Sequence, residues 1–566
     1  MSLIHKFVDW RHYQTTSLSD ISKLGQHDEA LRIQTSALNW FDQLSTLQPE
    51  SQPLSLTVNG VLIDCVAALR SELKIHGAQT LRAIESANLV IASSNRLPIL
   101  KPSLDFKNMS RFAHILNNIR PSVEGEVYSR TLEALHISRQ SLYLSKLFIR
   151  QQLTKNDTKV FRNLRTENGN ILMIPKEPTH VVDLSVIENE LLKREGIQVE
   201  YMVVTDKMQD LLKGHDRTLH EMTEPILFPW SAYKKMKKFI LTRGVELPRF
   251  STIENLALSR CILDTLRSNL IHILRFAHHL IKVIERRKPK VIMVGNPMTM
   301  EGKVATIIAK AFETPVAALE HGTIRGDDPI WKNCLLDKFL VWGEPSKQSL
   351  LKAGFRETQI QIVGAPRMDT LLQSFKSNYS TEKKFVLVAT SGPGNQVSEP
   401  DHIKFTKVLR KSVLESPHLN WVVKLHRKDK NAYYLQNGTL PPNMRLIEAD
   451  YKQQGVDIFT YLRDAFALLT ISSTAALDAM LVNIPVITFT LKPEQSESGI
   501  EFIDSGSTFR VSNSFELVKT TNQLYQADSA ESVQSTANEY IQRHYYYRGK
   551  AGREAAKAIV HLARSK

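Results

Sequence analysis

Residues 288–326, KPKVIMVGNPMTMEGKVATIIAKAFETPVAALEHGTIRG, and residues 337–369, DKFLVWGEPSKQSLLKAGFRETQIQIVGAPRMD, decide how this chain folds. Short apolar runs at 291–294, 316–319 and 338–342 alternate with a helical pattern from about 301 to 312. Runs this short, rich in Val, Ile and Leu and separated by helices, predict a parallel sheet wound by crossover helices. Each run closes on a polar tip: Gly295-Asn296, Glu320-His321-Gly322 and Gly343-Glu344. Ligands of such sheets sit beyond the carboxyl ends of the strands, so all three tips lie on the predicted ligand edge.

Working outward, the same texture recurs on both sides. Upstream, 170–175 and 198–205 read as strands, and 183–194 and 206–213 as helices. A mainly helical insertion follows at about 215–285. Downstream, a polar linker near 374–384 precedes a second α/β series, with strands at 385–390, 420–425, 446–447, 467–471 and 485–489 and a helical end from 529 to 566. The expected fold class is α/β: two Rossmann-like domains, at 161–375 and 380–566, behind a mainly helical N-terminal domain at 1–160 with helices near 64–73, 78–91 and 128–152. A cleft between the two α/β domains is the expected ligand site.

The 566 residues are too many for one core. Three widely spaced cysteines, Cys65, Cys261 and Cys334, form neither a disulfide framework nor a metal-ligand pattern, which suits a reducing cytoplasm. No secretory leader or membrane-spanning run is visible, so a cytoplasmic protein is expected, at most peripheral to the inner face of the membrane. The formal charge of +15 is dispersed over segments such as RRK at 286–288, KKMKK at 234–238 and KLHRKDK at 424–430. No nucleic-acid-binding motif accompanies it, and nucleic acid is not an expected partner. Anionic lipid or phosphorylated small molecules remain, beside the plain reading of solvated helix faces. PWSAYKKMKKF, at 229–239, is either an amphipathic helix that touches anionic lipid or an ordinary surface helix.

Several strand ends carry chemistry. Ser472-Ser473-Thr474 follows an apolar strand and opens a helix, which suits phosphate or simple N-capping. His426, with Lys424 and Arg427 beside it, ends the neighbouring strand and converges on the same anion. Ser391-Gly392-Pro393-Gly394 is a glycine turn that lets backbone approach a nucleotide closely, or an ordinary turn. A histidine titrates near neutrality, so His321 can take a proton from an attacking hydroxyl, with Glu320 orienting it or acting itself. Asp327-Asp328 reads as loop capping rather than a metal site. Arg367 either faces the cleft or pairs with Asp369.

As an ordered set, EHGT (320–323), GAPRMD (364–369), KLHR (424–427) and ISSTAALDAMLVNIPVITF (471–489) resemble the GT-B glycosyltransferases, and among them bacterial capsule and surface-polysaccharide enzymes and CDP-glycerol glycerophosphotransferases. Two positions depart from the glycerophosphotransferase pattern: Arg427 replaces a proline, and Ile471 precedes the serines in place of Asp-Tyr. The resemblance covers about 170–566 and leaves residues 1–160 outside. It implies a metal-independent transferase, without a cofactor, that moves a sugar or polyol phosphate from a CDP-, CMP- or UDP-linked donor to a glycan or lipid-linked acceptor. Capsule, lipopolysaccharide or a teichoic-acid-like polymer would be the product. His321 would be its base, and His426, Arg427, Lys424, Ser391, Gly392, Gly394, Ser472, Ser473 and Thr474 would hold the donor. Two alternatives stand beside it: a non-hydrolysing UDP-N-acetylhexosamine 2-epimerase, which His426-Arg427 fits better, and a non-catalytic scaffold of glycan assembly.

Overall fold

The computed structural model describes residues 27–48, 52–93 and 171–565, apart from 214–216, 225, 245–246, 323, 325, 332–333, 378–384, 393–396, 398, 427–428, 436–438, 448–457, 492–500 and 527–530. The helix expected at 128–152 lies outside the described residues.

The first described element is a helix, His27–Thr46, followed by a hairpin of β1 (Ser55–Val58) and β2 (Val61–Asp64). Asn59 and Gly60 form its two-residue turn with φ of 47° and 81°. This backbone is the one that Asn-Gly favours. Asp64 accepts from the Val66 and Ala67 amides and opens a short helix, Cys65–Ala68, before the longer helix Arg70–Ser93. The expected break between residues 73 and 78 is absent.

Seven parallel strands form the first sheet: β3 (Ile171–Ile174), β4 (Val199–Val203), β5 (Thr218–Glu221), β6 (Val291–Val294), β7 (Val316–Leu319), β8 (Lys338–Val341) and β9 (Ile360–Ile362). Their spatial order is β5-β4-β3-β6-β7-β8-β9. Six more form the second: β10 (Phe385–Ala389), β11 (Asn420–Lys424), β12 (Met444–Ile447), β13 (Ala465–Thr470), β14 (Val486–Phe489) and β15 (Phe509–Val511), in the order β12-β11-β10-β13-β14-β15. Both sheets start in the middle, wind outward to one edge and then return to the other. Each therefore has a crevice where the order reverses, between β3 and β6 in the first and between β10 and β13 in the second. The two-Rossmann, GT-B-like architecture expected from the sequence is the one observed.

Alternation along each strand sends side chains to two faces. In the first sheet, Leu172, Ile174, Ile292 and Val294 share one core with Trp40, Phe41 and Leu73 of the N-terminal segment and with the long helix Thr252–Arg287. Trp40 Nε1 donates to Asn255 Oδ1 of that helix at 2.8 Å. The described part of the N-terminal segment, 27–48 and 52–93, is thus mostly helical as expected, but it covers one face of the first sheet instead of standing apart. Helix Trp230–Arg243 buries Tyr233, Met236 and Ile240 in the same core and leaves Lys234, Lys235 and Lys238 exposed. Among the described residues no helix is long and apolar enough to cross a membrane.

The opposite face, with Ile171, Met173, Val291 and Met293, is covered by helix Pro178–Glu195 and by the last helix, Ala551–Arg564, through Ala555, Ile559 and Leu562. The C-terminal helix expected in the second domain therefore crosses back to the first. Asp369 anchors it by accepting from Gly552 N at 2.8 Å. A Cβ at Gly552 would lie 2.6 Å from Val186 Cγ1, so the two helices meet too closely there for a side chain.

Candidate active site

The crevice of the first sheet opens between Lys176-Glu177, after β3, and Gly295-Asn296, after β6. Helix Pro178–Glu195 begins at this edge and places His180 in its first turn. The His180 side chain lies against Gly295, where a Cβ would fall 2.6 Å from Nδ1. Nδ1 accepts from the Lys176 and Glu177 amides, each at 3.2 Å. Burial, followed by the charges of His321 and Arg367, pushes the His180 imidazolium down to about 3, so the ring is neutral.

His321, at the tip after β7, meets this ring at 5.1 Å and 85°. Asn296 Oδ1 accepts from Met298 N at 2.8 Å, which turns its amide Nδ2 toward His321 Nε2 at 3.0 Å. Nε2 is therefore an acceptor with its lone pair held in place, and the proton of the neutral ring sits on Nδ1. Burial lowers the His321 pKa below the ordinary imidazole value, which favours this base-competent form at neutral pH.

Glu320 points the other way. Its carboxylate accepts from Trp342 N and from Ser346 Oγ, both at 2.7 Å, in a fully buried position. It braces the start of helix Glu344–Lys352 and the end of β8. The expectation that Glu320 orients His321 or acts itself is corrected accordingly, since both oxygens are committed away from the crevice. Burial pushes its pKa up to about 8 from 4.5. A carboxyl raised in the folded state contributes stability that is complete below the unfolded value and is lost as pH rises through the folded one. Thermal stability relative to Glu320→Gln should consequently fall between about pH 4.5 and pH 8, by at most about 1.4 kcal/mol per pH unit for one proton. A wild-type-minus-variant melting difference that is flat across that window would disprove this.

Arg367 faces the crevice rather than Asp369. Its backbone N donates to Asp183 Oδ1 at 3.0 Å, and Nη1 lies 3.9 Å from Asp183 Oδ2 and 3.5 Å from the His321 carbonyl. The guanidinium stands 4.7 Å over the Trp342 ring. The loop after His321 is tied to the N-terminal segment: Asp328 pairs with Lys74 at 2.6 Å and caps Ile330 N at 2.9 Å. Asp328 thus caps its loop as expected.

In the second sheet the crevice brings together Ser391, Ser472 and the backbone of His426, three of the residues read as donor-binding. Ser391 Oγ, after β10, lies 3.4 Å from Ser472 Oγ, after β13. Thr390 Oγ1 accepts from His426 N at 2.8 Å and so fixes the end of β11 beside them. Thr470 Oγ1 donates to Ala389 O at 2.8 Å and accepts from Ser473 N at 3.1 Å. Gly392 takes a left-handed φ of 63° and turns the chain away after Ser391. Ser473 Oγ caps Ala475 N at 3.3 Å, while Thr474 is exposed. Lys424 is the last residue of β11 and half-buried. Arg427 and Gly394 lie outside the described residues.

Two residues of the first crevice, His180 and Asp183, were not singled out from sequence, and Asn296 was placed on the ligand edge without a role. The signal for them is positional. Once β3 is the first strand of the winding, the segment that follows it must border the crevice.

These two crevices define a two-domain α/β protein of the GT-B kind. The family model described as UDP-N-acetylglucosamine 2-epimerase matches residues 337–560, which is less than half of the chain. This span runs from β8 through the whole second sheet into the last helix. No match to a curated protein sequence was found. Among solved structures, the Neisseria meningitidis UDP-GlcNAc 2-epimerase bound to UDP-GlcNAc is 15% identical at a TM-score of 0.45, over 70% of this chain and 100% of that one. A putative UDP-N-acetylglucosamine 2-epimerase of Listeria monocytogenes is 14% identical at 0.48, over 70% and 97%. A glycotransferase of kitacinnamycin is 15% identical at 0.42, over 70% and 98%. The family match corrects the expectation that the chain transfers a sugar or polyol phosphate to a surface glycan: the family matched across the second sheet is described by epimerisation of a nucleotide sugar, not by transfer to an acceptor.

Proposed function

We propose that this chain is a nucleotide-sugar 2-epimerase acting on a UDP-linked N-acetylhexosamine. The observation that carries the reading is the family match across the entire second sheet. The second crevice supports it, since the Ser391 and Ser472 hydroxyls meet there and the backbone of His426 is fixed beside them, an arrangement suited to a diphosphate.

The reaction breaks two bonds and remakes them. A base removes the proton on C2 of the sugar, and the C1–oxygen bond cleaves with its electron pair leaving on UDP. The resulting 2-acetamidoglucal keeps a C1–C2 double bond. Protonation on the opposite face of C2 and return of the UDP oxygen to C1 complete the inversion. In this reading His321 takes the C2 proton through Nε2, where the Asn296 amide holds the lone pair in line until substrate displaces it. Negative charge grows on the leaving diphosphate, and the donors of the second crevice stabilise it in a partly dehydrated site. Arg367, which reaches the His321 carbonyl from the segment joining the two sheets, holds the base loop in register with the nucleotide side.

A thermal-shift series against UDP, CDP and CMP tests the substrate class. UDP at about a hundred times its dissociation constant should stabilise by roughly 2.7 kcal/mol, with no shift from the cytidine nucleotides. Stabilisation by CDP or CMP without UDP would overturn the reading.

A further inference from the structure

We propose that His180 is a substrate-binding residue of the first crevice, an imidazole held as its Nε2–H tautomer that donates this N–H to an uncharged oxygen of the sugar beside the carbon at which His321 acts. The proposal rests on the functional reading above and extends it to a residue of the first sheet.

Three observations carry it. Nδ1 accepts from the amides of Lys176 and Glu177, each at 3.2 Å, so the single proton of the neutral ring is on Nε2. The residue is 1% exposed, and Nε2 has no hydrogen-bond partner among the described residues. Buried donors are almost always paired, and an orphan at a crevice is a donor waiting for a ligand. The ring also borders the reacting site, because it stands perpendicular to His321 at 5.1 Å. Gly295 makes room for it, since any larger residue would put a Cβ 2.6 Å from Nδ1.

The surroundings fix its chemistry. Arg367 and His321 both oppose a positive charge on the ring, and Nδ1 is turned toward the amino-terminal end of an 18-residue helix, which opposes it further. Protonation at Nδ1 would also break both backbone bonds. The ring therefore works as a neutral donor and not as an acid. A neutral N–H matches a sugar hydroxyl or an acetamido carbonyl, and the sugar is the uncharged part of a nucleotide sugar.

The test is a long-range proton–nitrogen spectrum of the full chain labelled with nitrogen-15 histidine, the His180 signals being assigned by their loss in His180→Gln. The expected pattern is that of an Nε2-protonated neutral ring, unchanged from pH 8 to pH 5, whose Nε2 shifts with UDP-N-acetylglucosamine but not with UDP. A ring that titrates in this range or carries its proton on Nδ1 overturns the proposal. So does a His180 that stays unmoved while the nucleotide sugar perturbs other histidines, for its N–H would then rest only on the face of His321. If the nucleotide sugar perturbs no histidine, the functional reading fails and the sugar ligand of His180 falls with it. In turnover, His180→Ala should raise KM about 3- to 10-fold, the worth of one neutral hydrogen bond, with kcat less affected. His180→Gln, which keeps an N–H donor, should recover part of the loss. Gly295→Ala, which displaces the ring while leaving it in the chain, should reproduce the KM defect. Equal KM in wild type and Gly295→Ala would count against the proposal.

Discussion

His321→Ala is expected to lower kcat by about two to four orders of magnitude, the usual contribution of a positioned general base, and to leave UDP affinity unchanged. The separation follows from geometry. His321 ends β7 in the first sheet, whereas Ser391, His426 and Ser472 end strands of the second. Among the described residues its imidazole touches Asn296 and His180, both of the first sheet. His426→Ala should show the opposite pattern, with weakened UDP binding measured by calorimetry. Equal loss of UDP affinity in both variants would sink this division of labour.

Asp183→Ala should cost about 1.5–3 kcal/mol of folding stability, because it removes a buried carboxylate that accepts the Arg367 amide and faces the half-buried Arg367 guanidinium. Asp183 is 1% exposed, and its carboxylate both receives the Arg367 backbone N–H and faces the Arg367 guanidinium. Removing the carboxylate leaves Arg367 with the Trp342 ring, a long contact to the His321 carbonyl and the more distant carboxyls of Asp478 and Glu320. The double variant Asp183→Ala with Arg367→Met should therefore be more stable than Asp183→Ala alone, since the half-buried guanidinium left without its nearest carboxylate is then gone. Urea unfolding of the four proteins gives the coupling energy directly. A double variant less stable than either single one would show that the pair does not act as a unit.

Much of the architecture was legible because parallel strands covered on both faces have nowhere to put polar residues. ILMI, VIMV, VAAL and FVLVA stand out as unbroken apolar runs, and each is a strand buried along its length. Edge strands lack that pressure. Thr218–Glu221 is a half-buried strand of polar composition, and it was absorbed into the expected helical insertion. The hairpin of β1 and β2 was missed despite its Asn-Gly turn, because its apolar residues also fit a helical spacing. Tertiary partnership was hidden altogether. Nothing in the periodicity of His27–Thr46 or Ala551–Arg564 says which sheet their apolar faces will cover, and both serve the first.

The site was legible at strand ends and obscure one step beyond them. Ser391, His426 and Ser472 were correctly placed on one edge, because a winding order alone brings these tips together. Glu320 misled because adjacency to His321 suggested cooperation, while successive residues at a strand end point to opposite sides. The choice between transfer and epimerisation was not readable from the tips, because both chemistries need a base on one side and diphosphate donors on the other. His426-Arg427, where the transferase pattern has His-Pro, was the one local sign in favour of the epimerase.

The most direct measurement is incubation of the enzyme with UDP-N-acetylglucosamine in deuterium oxide, followed by proton NMR of the sugar. Elimination and re-addition across C1–C2 predict loss of the C2 proton signal to deuterium and the growth of the 2-epimer, with no acceptor present and both effects abolished in His321→Ala. A C2 proton retained in full by a protein that binds UDP would contradict the epimerase account.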